Sequence, residues 1–236
     1  SLFFFLLPIF ALPKISTKTQ TKPKSKIFYF ITTALFLFLI SKILSLFVAD
    51  IAYNQSQIVY NRALYQSSQN NINLALSLRP KEALYHSQAS LTAAKLEDAP
   101  LAINHSNLAL SLSPASTNLW KERAQVFSEL SQINPEYFSL AIDALKNTVR
   151  LAPTDAKSFY LLGKFYEAAS ENNLAIENYQ KALALKANYD HASFALGELY
   201  FSQKNYPEAK KYFNLTLTLT PNNQEAKEYL EKIISL

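Results

Sequence analysis

Two of the sparser residue types of this chain, glycine and proline, recur at an interval of 34. Its two glycines, Gly163 and Gly197, are 34 residues apart, and so are Pro80 and Pro114. Pro153 follows after 39 residues and Pro221 after a further 68, which is two periods. A period of this length belongs to chains built from stacked supersecondary units, none of which buries its apolar face alone. Neighbouring units then supply what a single globular core supplies elsewhere.

The repeats become legible when residues 156–189 are set over 190–223. Both carry Leu-Gly-x-x-Tyr (Leu162, Gly163, Tyr166; Leu196, Gly197, Tyr200) and then Ala175 or Ala209 nine residues after the Tyr. An aromatic (Tyr179, Phe213) and a small residue (Ala182, Thr216) complete the pattern. It resembles the tetratricopeptide repeat, a pair of antiparallel helices. That resemblance implies an all-α protein folded as a right-handed α-solenoid. Five repeats are read: 49–82, 83–116, 117–155, 156–189 and 190–223. Their eighth positions (Ser56, Ser90, Ala124, Gly163, Gly197) and twentieth-type positions (Ser68, Ala102, Ala141, Ala175, Ala209) are all small. Small residues there let the two helices of a repeat approach closely. Trp120 stands at the fourth position of the third repeat, which also holds five extra residues, 131–135, with Asn134 suited to cap a helix and Pro135 to start it. Residues 224–236 predict a capping helix with Ala226, Leu230, Ile233 and Ile234 on its buried stripe.

Upstream of the repeats the chain is apolar. Residues 27–49 hold one charge, Lys42, and as a helix run about 34 Å, enough to cross a ~30 Å hydrocarbon core. A buried core helix and a signal peptide are the competing readings; the first does not stay apolar all round for this length, and Phe47 makes a poor cleavage site for the second. Residues 1–12 are equally apolar but too short to span, and are expected to be the remainder of a transmembrane helix whose beginning is missing. The net charge of +5 is concentrated between these runs: Lys14, Lys18, Lys22, Lys24 and Lys26 precede the first acid, Asp50. Beyond residue 49 there are 17 Lys/Arg against 18 Asp/Glu. A nucleic-acid-binding face is therefore not expected. The positive-inside rule places 13–26 in the cytoplasm and 50–236 on the extracytoplasmic side of a bacterial cytoplasmic membrane, with the lipid bilayer itself as a partner; an inverted, cytoplasmic array is the alternative.

Composition excludes much chemistry. Without Cys there is no thiol nucleophile and no Cys-built metal site, and two isolated glycines make neither a P-loop nor a dinucleotide fingerprint. His86, His105 and His191 form no ligand motif and are read as solvated surface residues. Glu97-Asp98 and Glu228/Glu231 are read as helix-end and solvent-face charges. No catalytic residue, metal or cofactor is expected.

If the chain follows the tetratricopeptide pattern, helix A of each repeat lines a concave face. The residues this places in the groove are Asn118, Lys121, Gln125, Ser128 and Glu129, then Lys157, Tyr160, Lys164 and Glu167, then His191, Phe194, Glu198 and Phe201. Tyr160, Phe194 and Phe201 are large at positions that packing does not require. With Lys121, Lys157 and Lys164 beside them, they point to an extended protein or peptide partner, or a glycan. The Lys/Asn clamp for a C-terminal carboxylate is missing. A second resemblance rests on the apolar helix followed by VADIAYNQ (48–55), LWKERAQVFSELSQINPEYF (119–138) and LAPTDAKSFYLLGKFYEAA (151–169). This order is similar to the C-terminal end of bacterial O-antigen ligase/polymerase membrane proteins, some of which append tetratricopeptide repeats. It implies an accessory interaction domain of a surface-polysaccharide protein, and carries no glycan-transfer residue into this chain. A freestanding membrane-anchored scaffold for envelope assembly is the alternative.

Overall fold

The computed structural model of the chain describes residues 26–235. The readings for residues 1–12 and 13–25 lie outside them. Eleven helices and no strand occur among the described residues. They are α1 (Lys26–Tyr60), α2 (Tyr65–Leu78), α3 (Ala83–Lys95), α4 (Ala99–Leu112), α5 (Thr117–Leu130), α6 (Glu136–Leu151), α7 (Ala156–Ala168), α8 (Asn172–Leu185), α9 (Asp190–Ser202), α10 (Tyr206–Leu219) and α11 (Gln224–Ile234). The chain divides into two compact units, 1–45 and 46–236.

The described part of the first unit is the apolar start of α1. Its large side chains are exposed, Phe30 at 77%. Among the described residues α1 is the one helix long and apolar enough to cross a membrane. Hydropathy falls at residue 49, but the helix runs on to Tyr60. No Gly or Pro interrupts residues 49–60, and Ala49, Ala52, Ser56 and Val59 are buried at helical spacing. Ala49 and Ala52 form a cluster with Ile72, Ala75, Tyr85 and Ala89.

The second unit is an all-α helical repeat solenoid. Within it α3 packs on α4, α5 on α6, α7 on α8 and α9 on α10, and each hairpin also meets the next. Side chains start several of the helices locally. Asp98 accepts the Leu101 N–H at 3.1 Å, Ser116 the Leu119 N–H at 3.4 Å, and Asn223 the Ala226 N–H at 2.8 Å, each satisfying an orphan donor of a first turn. Asn134 Oδ1 accepts the Glu136 N–H at 3.0 Å and Pro135 has helical dihedrals (−55°, −22°), so Asn134 does cap α6. Inside four hairpins the turn passes through one residue of positive φ: Ala63, Glu97, Ser170 and Lys204, at 59° to 62°. All four stand fifteenth in their repeats. In the third repeat that position is Ser131, at φ −66°, and the five extra residues make the reversal instead.

The eighth positions are where paired helices touch. A Cβ built on Gly163 would lie 2.6 Å from the Tyr179 ring, and one on Gly197 would lie 2.6 Å from Phe213. Both rings are fully buried. Ser56, Ser90 and Ala124 are buried at the corresponding places, opposite Ile72, Ser106 and Leu145 in register. Of these five positions, the two glycines are the ones that face aromatic rings.

Two expectations fail. His86 and His105 are not solvated surface residues: His86 is 7% exposed, and the two Nδ1 atoms are 2.9 Å apart across the α3–α4 hairpin. The sequence separation of 19 concealed this, because it reflects one helical hairpin and no ligand motif. In α11, Ala226 is buried and Leu230 and Ile233 pack on the last hairpin, but Ile234 is 76% exposed. Tyr229 takes its place, stacked on Phe213 at 4.7 Å between centroids.

Candidate functional site

Consecutive A helices enclose two concavities. The smaller, about 290 Å³, lies between α5 and α7 and is lined by Lys121, Glu122, Gln125, Ser128, Leu161 and Phe165, with Ala124 at its base. The larger, about 460 Å³, lies between α7 and α9. Tyr160, Lys164, Glu167, His191, Phe194 and Glu198 line it, over Ala168, Tyr179 and Ala195.

Helical spacing explains this grouping. Tyr160, Lys164 and Glu167 follow one another at i, i+4, i+7 along α7, and His191, Phe194 and Glu198 at i, i+3, i+7 along α9, so each trio shares a face. The structure therefore brings together six of the candidate residues (Tyr160, Lys164, Glu167, His191, Phe194, Glu198) in one concavity and three (Lys121, Gln125, Ser128) in the other. It leaves Asn118 and Lys157 exposed outside both. Phe201 also lies outside, half-buried against Tyr229 at 5.0 Å and Tyr206 at 5.7 Å.

The aromatic residues are not free of packing duties, contrary to expectation. Phe194 meets Phe213 at 5.8 Å and Tyr229 at 6.1 Å, and Phe201 joins the same cluster. Tyr160 packs on Tyr189 at 5.1 Å and on Tyr179 at 5.5 Å. Tyr160 and Phe194 thus serve the array on one flank, Phe194 reaching α11 through Tyr229, and the concavity on the other.

The charge differs from expectation as well. Lys121 donates to Asp155 Oδ2 at 2.9 Å, so its charge is compensated. Burial pushes the Asp155 carboxyl upward, but hydrogen bonds from Ser158 and Lys121 outweigh it and hold the group below the usual range. Glu167 and Glu198, by contrast, meet hydroxyls. Tyr179 donates to Glu167 at 2.6 Å and Tyr229 donates to Glu198 at 3.2 Å. Burial, followed by that bond to Glu167, drives the Tyr179 phenol far up, so the proton stays on the tyrosine. Sequence reasoning missed Tyr179, Leu161 and Phe165 as lining residues. The first reads as a filler of the hairpin interior, and the other two fall one register step from the positions expected to face the groove.

Among the described residues no group of three or more His, Cys, Asp or Glu is arranged to hold a metal ion. The arrangement is that of a recognition surface: two shallow concavities with fixed polar groups and partly exposed rings.

Residues 166–233 match a family model described as tetratricopeptide repeat. In sequence, 88 residues are 32% identical to a UDP-N-acetylglucosamine–peptide N-acetylglucosaminyltransferase of Giardia intestinalis, covering 37% of this chain and 6% of that protein. Over 121 residues the chain is 26% identical to tetratricopeptide repeat protein 6 of Homo sapiens, covering 51% of this chain and 22% of that one. The chain thus spans less than a quarter of the length of either relative. Among solved structures, pilF of Pseudomonas aeruginosa superposes with a TM-score of 0.62 at 16% identity, over 80% of this chain and 83% of its own. MamA of Desulfovibrio magneticus gives 0.59 at 22% identity, over 75% and 97%. YrrB, described as a TPR protein with an unusual peptide-binding site, gives 0.57 at 16% identity, over 76% and 90%. Family model and structural neighbours together support a repeat protein of the tetratricopeptide type.

Proposed function

We propose that this chain is a membrane-anchored interaction module that docks an extended segment of a partner protein in the concavity between α7 and α9. One observation carries the reading: six residues selected from sequence register alone converge on a single 460 Å³ depression. Its walls are fixed by the packing of Tyr160 on Tyr189 and of Phe194 on Phe213, so the surface is pre-organised and docking costs little side-chain entropy. The peptide-binding site named for YrrB, on a similar fold, supports the same direction.

The anchor in this reading is the apolar part of α1, and the lysines before it favour an extracytoplasmic array. The similarity to O-antigen ligase tails supplies a context, an accessory domain of a surface-polysaccharide protein. Reading the gene upstream of Ser1 separates that context, which requires many further hydrophobic segments, from a freestanding scaffold. A cysteine introduced at Asn188 and challenged with an impermeant thiol reagent in intact cells tests the side: labelling is expected, and protection would reverse the orientation.

Docking itself is tested on the full chain in lipid nanodiscs, by selecting binders from a displayed library of random twelve-residue peptides. Binding is expected to weaken at least tenfold in Tyr160→Ala and in the exposed-site variant His191→Ala. It should be unchanged in Lys181→Ala, on the separate α8 surface lined by Phe159 and Glu177. Peptides that bind all three variants equally would remove the concavity from consideration.

A further inference from the structure

The interior of the α7–α9 concavity is acidic, and that sign identifies a ligand chemistry. Six ion pairs occur among the described residues, and they engage Asp50, Glu82, Glu129, Asp143, Asp155 and Glu208. Glu167 and Glu198 are in none of them. Their hydrogen-bond donors are the hydroxyls of Tyr179 and Tyr229, which orient the carboxylates without neutralising them. Lys164 stands exposed on the same wall and is ion-paired with neither acid.

The local field is strained accordingly. Burial pushes the Glu198 carboxyl up, and the charges of Glu167 and Glu225 push it further, against the opposing hydrogen bond from Tyr229. No cation relieves it. A half-buried carboxylate in this state gains from an incoming positive group, whereas an acidic ligand is repelled and an apolar one leaves the charge desolvated. The remaining walls favour the same occupant. Tyr160 and Phe194 present ring surface to the concavity, and aromatic faces attract ammonium and guanidinium groups. A guanidinium also matches two oriented carboxylates through its forked donors.

We propose that the α7–α9 concavity receives an arginine or lysine side chain of the docked segment, held between Glu167 and Glu198 and against the rings of Tyr160 and Phe194. This rests on the docking role proposed above for the same concavity. It reverses the expectation of a positively charged groove, and it makes the partner's contact sequence basic at one position.

The test uses the full chain in nanodiscs and the selected twelve-residue peptides. One basic position should be enriched among them. Synthetic end-blocked peptides with citrulline or norleucine there should bind about tenfold or more weakly, the loss of a charge-assisted contact. Glu167→Gln/Glu198→Gln, which keeps both acceptors for Tyr179 and Tyr229, should weaken the basic peptide similarly and make binding indifferent to the citrulline change. Lys164→Ala should raise affinity. Peptides that lose binding in Tyr160→Ala and His191→Ala, yet carry no enriched basic position or ignore the double Gln change, would overturn the inference and leave docking intact. Should no peptide depend on Tyr160 or His191, the docking role falls and the inference with it.

Discussion

Single residues carry more of this molecule's stability than an array of similar hairpins suggests. Gly163 has nothing to do with backbone freedom, since its place is mid-helix; it is there because the Tyr179 ring occupies the space of a side chain. Tyr179 is fully buried and tied to Glu167, so it has nowhere to retreat. Gly163→Ala adds helix propensity of about 1 kcal/mol, but the overpacking costs roughly 1–3 kcal/mol, and a lower urea midpoint is the expected outcome. Gly197→Ala meets Phe213 in the same way. The histidine pair is a second such point. His86 Nε2 lies 2.9 Å from the Pro80 carbonyl and so donates to it, which leaves its Nδ1 as acceptor for a proton on His105 Nδ1. Burial, and next the neighbouring His86, lower the pKa of His105. A histidine lowered in the folded state binds its proton more readily when unfolded, so its contribution to stability is present above about pH 6.5 and lost as pH falls below that value. Melting curves between pH 7.5 and 5 should show this loss, and His105→Gln should flatten it; identical pH dependence in the variant would show that the pair is not its source.

At the scale of elements, the hairpin turns are the least economical part of the design. Four non-glycine residues occupy left-handed backbone, which disfavours an ordinary side chain by about 1–2 kcal/mol, while both glycines are spent on helix contacts. Lys204→Gly is therefore expected to raise the melting temperature, with a gain of roughly 0.5–1 kcal/mol, whereas glycine at Ser131, at φ −66°, should not. The periodic part of the architecture was legible in sequence because the residues that set it, Gly163, Gly197 and the small residues at the same position of the other repeats, are chosen by contact distance. The turns were not, since Ala63, Glu97, Ser170 and Lys204 share a position but no chemistry. The concavity was half legible: register found Tyr160, His191 and Glu198, but it could not show that Asp155 cancels Lys121 or that Phe201 turns toward Tyr229. Those outcomes depend on side chains about one repeat away. The continuation of α1 past Ala49 is an intermediate case, since hydropathy marks where the apolar surface stops and says nothing about where the helix does.

Across the whole repeat unit buried polar side chains are more frequent near the start than toward the end, although Tyr53 stacks on Tyr85 at 4.9 Å in the one and Ser193 meets Thr216 at 2.9 Å in the other. Near its start, Ser56, Ser68 and Thr92 are joined by buried hydroxyl hydrogen bonds of 2.8 and 3.1 Å, and α3 also buries His86, Ser87, Gln88 and Ser90. Toward its end, Tyr200 and Tyr212 stack at 5.6 Å and Phe213 and Tyr229 at 4.7 Å. A buried neutral hydrogen bond contributes about 1 kcal/mol net, less than the burial of a large ring, and stability in such arrays is local to each neighbour contact. Hydrogen exchange on the full chain should accordingly show slower exchange in α8 to α10 than in α2 and α3; uniform protection would mean that the array opens as one unit. The hydroxyl-lined junction has a further consequence. Ser68 meets Thr92 at the first repeat junction, where the later junctions place Ala102 with Val126, Ala141 with Phe165 and Ala175 with Leu199 in register. A hairpin lent by a second molecule would strand hydroxyls against hydrocarbon unless it entered at its own rank. The order of the hairpins is thereby written into the seam, and exchange between copies at the wrong place is discouraged by chemistry as well as by shape.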